Sequence, residues 1–235
     1  MERIWGKIIS LEEWGNVSEG SVHFDSRRYV DSMEKVYSRI KANPDRDSEI
    51  SKCVDELLVY SDKISVLDIG GRWGDHFHSL SDDAQSRVAY SVLETPNNTF
   101  RGRQKHPISS PVEFIDDIEN ARKKYDLVFS SSCFPVYFFN WQSISKNIID
   151  MNPKIILIDK CLMSSDVPSF LIEQLTPEGP IAHFVPNVAD IVEVLKGYIV
   201  EMYKHTGKKL KQEEYWCPTP SEEGWGYRTL KLVKQ

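Results

Sequence analysis

The sequence has no long apolar run, no paired-cysteine motif, no basic excess and no repeated or low-complexity segment. Each absence narrows what the chain can be. No stretch approaches the ~18–20 consecutive apolar residues of a membrane span. The opening Met1-Glu2-Arg3-Ile4-Trp5-Gly6 lacks the apolar core of a signal peptide. Its four cysteines, Cys53, Cys133, Cys161 and Cys217, are far apart and show no CxxC spacing. Free thiols in a reducing compartment, the cytoplasm, are therefore expected. Acidic residues outnumber basic ones by 35 to 29, which sets aside duplex nucleic acid as a partner. The one basic run, Lys204, Lys208, Lys209 and Lys211, lies beside Glu201, Glu213 and Glu214. It reads as a solvated rim or as a site for an acidic ligand such as phosphate.

What is present is ordinary globular composition: 235 residues, 40% of them apolar, enough to bury a core without a metal or disulfide. Residues 1–24 are mixed and read as a loosely structured lead-in. From Arg27, the apolar residues Tyr29, Met33, Val36, Tyr37 and Ile40 keep helical spacing up to Asn43-Pro44. Ser48 can cap a second helix that carries Ile50, Val54, Leu57 and Leu58. Residues 1–60 are thus expected to form a helical extension, serving as a lid or as a contact in a homodimer. Residues 61–235 are expected to form the main domain.

In that domain five short apolar runs each end in a polar or glycine residue: Ser65–Ile69 at Gly70-Gly71, Val88–Leu93 at Glu94, Val112–Ile115 at Asp116-Asp117, Leu127–Phe129 at Ser130-Ser131-Ser132, and Ile155–Ile158 at Asp159. Helical segments lie between and after them, one capped by Asn140 and one started by Asn187 and stopped by Gly197. Continuous strands joined by helices mean a parallel sheet covered on both faces. Tyr198–Tyr203 and Tyr227–Val233 follow one another without a helix and are expected to close the sheet as an antiparallel pair. Ligands of such sheets bind outside the carboxyl ends of the strands, where the polar residues just named fall.

The sharpest motif is Asp68-Ile69-Gly70-Gly71-Arg72-Trp73-Gly74. A dinucleotide fingerprint would need glycine at positions 72 and 75, which hold Arg72 and Asp75, so NAD and FAD are disfavoured. The acidic-x-G-x-G-x-G turn of class I S-adenosylmethionine methyltransferases is closer. Asp68, Gly70 and Gly74 match it, Arg72 replaces its middle glycine, and Gly71 is additional. Glu94 ends the second strand about twenty residues on, where an acid can accept hydrogen bonds from both ribose hydroxyls. Asp116 or Asp117 can hold an adenine amino group; helix capping is the alternative for both.

Four segments in this order and spacing, Leu67-Asp68-Ile69-Gly70-Gly71, Val92-Leu93-Glu94-Thr95-Pro96, Asp126–Ser132 and Ile156-Leu157-Ile158-Asp159, resemble a family of methyltransferases encoded in bacterial surface-polysaccharide (O-antigen and capsule) gene clusters. The resemblance covers about residues 60–233. It implies a Rossmann-like methyltransferase fold, S-adenosylmethionine as cofactor and a glycan-related acceptor. It adds Ser130 and Ser131 to a cofactor-binding set of Asp68, Gly70, Gly71, Gly74, Glu94, Asp116 and Asp117.

Methyl transfer to a hydroxyl gains from a general base, and His76, His78 and His183 are candidates. His76 and His78 have metal-pair spacing but no evident third ligand, so no metal site is assigned. His183 is expected in a loop after the fifth strand, covering the acceptor. Tyr137, after the fourth strand, can orient an acceptor or pack with Phe138 and Phe139. Trp216, Trp225 and Tyr227 can stack on a sugar or pack in the hairpin. The expected activity is O-methylation of a sugar, or of a phosphate-bearing group, on a surface glycan or its precursor. An NAD- or nucleotide-sugar-dependent Rossmann enzyme and a degenerate cofactor-binding scaffold are the alternatives.

Overall fold

The computed structural model describes residues 4–9, 24–121, 124–138, 140–176, 179–205 and 224–235. In chain order the elements are β1 (Ile4–Ile9), α1 (Arg27–Ala42), α2 (Glu49–Leu58), β2 (Ile64–Ile69), α3 (Asp82–Arg87), β3 (Val88–Leu93), α4 (Pro96–Lys105), β4 (Val112–Ile115) and β5 (Leu127–Ser131). They continue with α5 (Trp141–Met151), β6 (Ile155–Ser164), β7 (Phe170–Thr176), β8 (Gly179–Val185), α6 (Val188–Val194), β9 (Tyr198–His205) and β10 (Trp225–Lys234). Short 3-10 turns occupy Asp75–Ser79 and Ile118–Asn120.

Seven strands form one sheet in the order β4-β3-β2-β5-β6-β10-β9. The first five are parallel, and β10 runs antiparallel to both β6 and β9. The apolar runs are continuous because alternate residues feed two separate cores. Leu67, Ile69, Val128, Ile156 and Ile158 join Ile144, Ile148 and Met151 of α5 and Ile191 of α6. Ile64, Val66, Leu127, Phe129, Ile155 and Leu157 join Ile50, Val54 and Leu57 of α2. A mostly parallel sheet with helices on both faces and an antiparallel C-terminal pair is what the strand pattern predicts.

Four details differ from the sequence reading. Residues 4–9 are strand β1, paired antiparallel to β7 with a bulge between Trp5 and Ile8, rather than part of a loose lead-in. β7 and β8 pair antiparallel and complete a second, three-stranded sheet, β1-β7-β8. Its pattern is obscured because polar residues face inward: Gln174 and His183 are both buried. His183 therefore lies on a strand, not in a loop. Ser48 and Asn140 stand at helix starts without giving a side-chain cap, the Ser48 hydroxyl instead bonding Ser51 Oγ at 2.8 Å. Asn187 does cap α6, its Oδ1 accepting from the Ala189 amide at 2.8 Å.

Trp225 and Tyr227 are buried on β10 with Leu162, Ile172 and Val185, so packing is their role. Trp216, Cys217, Phe139 and Lys208–Lys211 lie outside the described residues, while Lys204 pairs with Glu49 at 2.9 Å. Among the described residues no helix is long and apolar enough to cross a membrane.

Candidate functional site

The carboxyl ends of β2, β3, β4 and β5 open into a cavity of about 640 Å³, a size within the range of ~300–1,000 Å³ usual for small-molecule sites. Glu94 lines it directly beyond β3. Its Oε1 accepts the Arg72 amide at 3.1 Å and its Oε2 accepts the Thr95 amide at 2.8 Å. Burial raises its pKa to about 7, against the pull of those two donors. Each carboxylate oxygen keeps a further lone pair for a ligand hydroxyl. Asp116 and Asp117, exposed beyond β4, line the same cavity. Asp117 also caps the following 3-10 turn, accepting from the Glu119 amide at 3.0 Å. Of the serines at and just beyond the end of β5, Ser131 and Ser132 reach the wall. Ser130 turns inward, donating to Ile69 O at 2.9 Å and accepting from the Phe134 amide at 2.8 Å.

The glycine turn is shaped by its own neighbours. A Cβ on Gly70 (φ +74°) would lie 2.2 Å from Cys133 Sγ, and one on Gly71 would lie 2.3 Å from Asp68 Oδ2. Gly70 lines the cavity, whereas Gly71, Gly74 and Asp68 lie behind its wall. Asp68 is fully buried; its Oδ2 accepts the Tyr90 hydroxyl at 2.8 Å and sits 2.9 Å from His76 Nδ1. Its Oδ1 and Asp75 Oδ1 are buried without a hydrogen-bond partner among the described residues. Burial next to Asp68 pushes the Tyr90 phenol well above its ordinary value.

Arg72 takes the left-handed conformation at φ +55°. Its side chain is about a quarter exposed and lines the cavity. It lies along the wall, with Nε 2.9 Å from Asp75 Oδ2.

Aromatic rings also line the cavity: Phe24, Tyr29, Tyr137 and Phe138. Phe24 stands edge-on to Tyr29 (5.0 Å) and to Tyr137 (4.6 Å). The first two are held there by the seating of α1. The Asn97 amide donates to Asp25 Oδ1 at 2.7 Å, and Asn98 Nδ2 donates to Phe24 O at 2.8 Å. Further along α1, the Tyr37 hydroxyl meets His78 Nε2 at 3.0 Å. Burial pushes the Tyr29 hydroxyl above its ordinary range and lowers the His78 pKa to about 4. Tyr137 donates its hydroxyl to Gln174 Oε1 at 2.8 Å.

Of the residues singled out from sequence, the fold thus gathers Gly70, His76, Glu94, Asp116, Asp117, Ser131 and Tyr137 around one cavity. His183 does not line it; buried on β8, it stands edge-on to Tyr137 at 4.8 Å. His76 and His78 face different partners, Asp68 and Tyr37, and are not a pair. Sequence reasoning missed Phe24, Tyr29, Cys133 and Phe138 as wall residues. Tyr29 was visible only as the first apolar position of α1.

No family model matches the chain, and no curated protein matches its sequence. Solved structures do match in fold. Magnesium protoporphyrin IX methyltransferase from Synechocystis PCC 6803, with bound SAM, is 14% identical, with a TM-score of 0.56 over 92% of this chain and 95% of that one. The 1,6-didemethyltoxoflavin-N1-methyltransferase of Burkholderia thailandensis, with bound 1,6-didemethyltoxoflavin and S-adenosylhomocysteine, is 13% identical, with a TM-score of 0.56 over 98% and 92%. Coclaurine N-methyltransferase, bound to N-methylheliamine and S-adenosylhomocysteine, is 11% identical, with a TM-score of 0.53 over 79% and 70%. The chain therefore has the Rossmann-like fold of S-adenosylmethionine-dependent methyltransferases.

Proposed function

We propose that the protein is a methyltransferase that uses S-adenosylmethionine and acts on a hydroxyl of a sugar, or of a phosphate-bearing group attached to one, in surface-glycan assembly. The observation that carries the cofactor reading is Glu94. It is a carboxylate at the end of the second parallel strand, on the wall of the cavity, beside the Gly70 turn and the Asp116-Asp117 edge. The residues fit the cofactor. Glu94 has acceptor capacity left for two ribose hydroxyls, Asp116 and Asp117 can accept from an adenine amino group, and Gly70 and Ser131 leave room for the chain between. The neighbours of the same fold hold SAM or S-adenosylhomocysteine in their structures.

S-adenosylmethionine supplies an already electrophilic methyl group, so this chain's residues have mainly to bind, align and exclude water. The aromatic wall of Phe24, Tyr29, Tyr137 and Phe138 offers flat apolar faces to the C–H side of a sugar ring. Within the 1–60 extension, α1 supplies the lid, with its Tyr29 on the cavity wall. Tyr137 orients the acceptor, and His183 is the positioning residue behind it, holding the ring edge-on. The glycan acceptor rests on the sequence resemblance, whose gene-cluster setting also suits the free thiols Cys53 and Cys133 and a cytoplasmic location.

Calorimetric titration with S-adenosylmethionine, S-adenosylhomocysteine and NAD, run on the wild type and on Glu94→Ala, tests the cofactor reading. Micromolar binding of the first two, weakened at least tenfold in the variant, is expected; binding of NAD alone would overturn it. Formation of S-adenosylhomocysteine with nucleotide-sugars or glycan precursors, screened next, tests the acceptor.

A further inference from the structure

The turn that carries Arg72 is strained, and the strain points to a use for the side chain. A residue with a Cβ is disfavoured in the left-handed region, a strain that glycine at position 72 would avoid. Arg72 nevertheless sits there at φ +55°. Its Nε is tied to Asp75 Oδ2 at 2.9 Å, and Asp75 is 1% exposed. That ion pair anchors the guanidinium, whose terminal nitrogens have no acceptor among the described residues. His76 repeats the arrangement one turn on. Its Nδ1 is tied to buried Asp68 at 2.9 Å, and Nε2 has no protein partner among the described residues. Two buried carboxylates thus aim two nitrogen donors, and both donor residues line the same cavity.

Charge is laid out unevenly along that cavity. Glu94, Asp116 and Asp117 are its carboxylates, and Arg72 is the one fixed positive charge among the described lining residues. A ligand that matches this layout carries hydroxyl and amino donors for the acids and a carboxylate for the guanidinium fork. Planar bidentate recognition of carboxylate is what arginine does best.

We infer that Arg72 and His76 form a two-residue grip for the carboxylate of the cofactor's amino-acid end, with Arg72 taking the place of the missing turn glycine. This rests on the cofactor reading above. The two buried acids are positioning residues that hold the grip open to the cavity.

Three probes separate the grip from that reading: S-adenosylhomocysteine, decarboxylated S-adenosylmethionine and 5′-methylthioadenosine, the last lacking the whole amino-acid tail. The wild type should bind the first at least tenfold more tightly than the other two. Arg72→Gln, which keeps a donor for Asp75, should weaken S-adenosylhomocysteine by about 10–100-fold, the range for a charge-assisted bond. It should leave 5′-methylthioadenosine within twofold, which also reports that the variant is folded. His76→Asn should cost about three- to tenfold on the same ligand, with the same control. Equal weakening of all three probes would reduce Arg72 to a structural residue and overturn the grip. Equal wild-type affinity for S-adenosylhomocysteine and 5′-methylthioadenosine would also overturn it and assign the cation to an anionic acceptor. Absence of binding by every adenosine probe would instead overturn the cofactor reading, and the grip with it.

Discussion

Replacing Glu94 with glutamine should make the ligand-free protein less stable in acid and more stable in base. Burial moves this carboxyl from 4.5 to about 7 in the folded chain. A raised folded pKa means that the native state holds the proton more tightly than the unfolded chain. The stabilisation is then complete below the unfolded value and lost as pH rises through the folded one. The full shift corresponds to about 3 kcal/mol lost between pH 4.5 and pH 8. Glu94 is partly exposed, so solvent screening reduces this to about 1.5 kcal/mol.

Glutamine copies the protonated acid and does not titrate, but its amide keeps only one oxygen for the two amides of Arg72 and Thr95. Losing one of those bonds costs about 1 kcal/mol at every pH. The variant should therefore be about 1 kcal/mol less stable than wild type at pH 4.5 and about 0.5 kcal/mol more stable at pH 8. Urea unfolding at the two pH values, without cofactor, reads the difference directly. A difference that is the same at both pH values, or that moves toward destabilisation as pH rises, would refute the reasoning. It would mean that the amides of Arg72 and Thr95 already hold a stable carboxylate.

Other outcomes follow from single contacts. His78, lowered to about 4 by burial, favours the neutral native form. Wild-type stability should thus fall as pH drops below about 6.5, and His78→Gln should remove about 1 kcal/mol of that loss at pH 5, measured by denaturant titration. Gly70→Ala should destabilise by about 2–4 kcal/mol in thermal unfolding, because it combines φ +74° with a Cβ 2.2 Å from Cys133 Sγ. Cys133→Ala should restore only part, since Cys133 Cβ is itself 2.5 Å away. Tyr137→Phe leaves the buried Gln174 oxygen without its donor and should cost about 1 kcal/mol in stability. In an acceptor assay its effect should fall on KM for the acceptor and spare cofactor affinity.

The parallel sheet was legible because its signal is redundant: each of five strands is mostly apolar and stops at a polar or glycine residue, and both properties arise from burial on two faces. Glu94, Asp116 and Ser131 were legible for the same reason, since the end of a buried strand is where a polar residue first becomes tolerable. The three-stranded sheet was not. Its inward positions hold Gln174 and His183, and β1 finds its partner across more than 160 residues, at Leu171–Leu175. The aromatic wall was hidden differently. Phe24 and Tyr29 fit an amphipathic helix entry, and only the bonds from Asn97 and Asn98 show where that entry is seated. Arg72 read as a defect in a glycine motif until its Nε was seen on Asp75.

The position of β10 has a consequence for synthesis. Every described residue on the cavity wall lies between positions 24 and 144, so the chain that makes the site leaves the ribosome well before β10. Yet β10 is the inner strand, between β6 and β9. Until it arrives, the ten-residue edge of β6, apolar along most of its length, has no partner on that side. Such an edge is a template for pairing with another chain. The nascent protein thus passes through a stage in which a nearly finished site is joined to an aggregation-prone border, and it depends on β10 for solubility more than for chemistry.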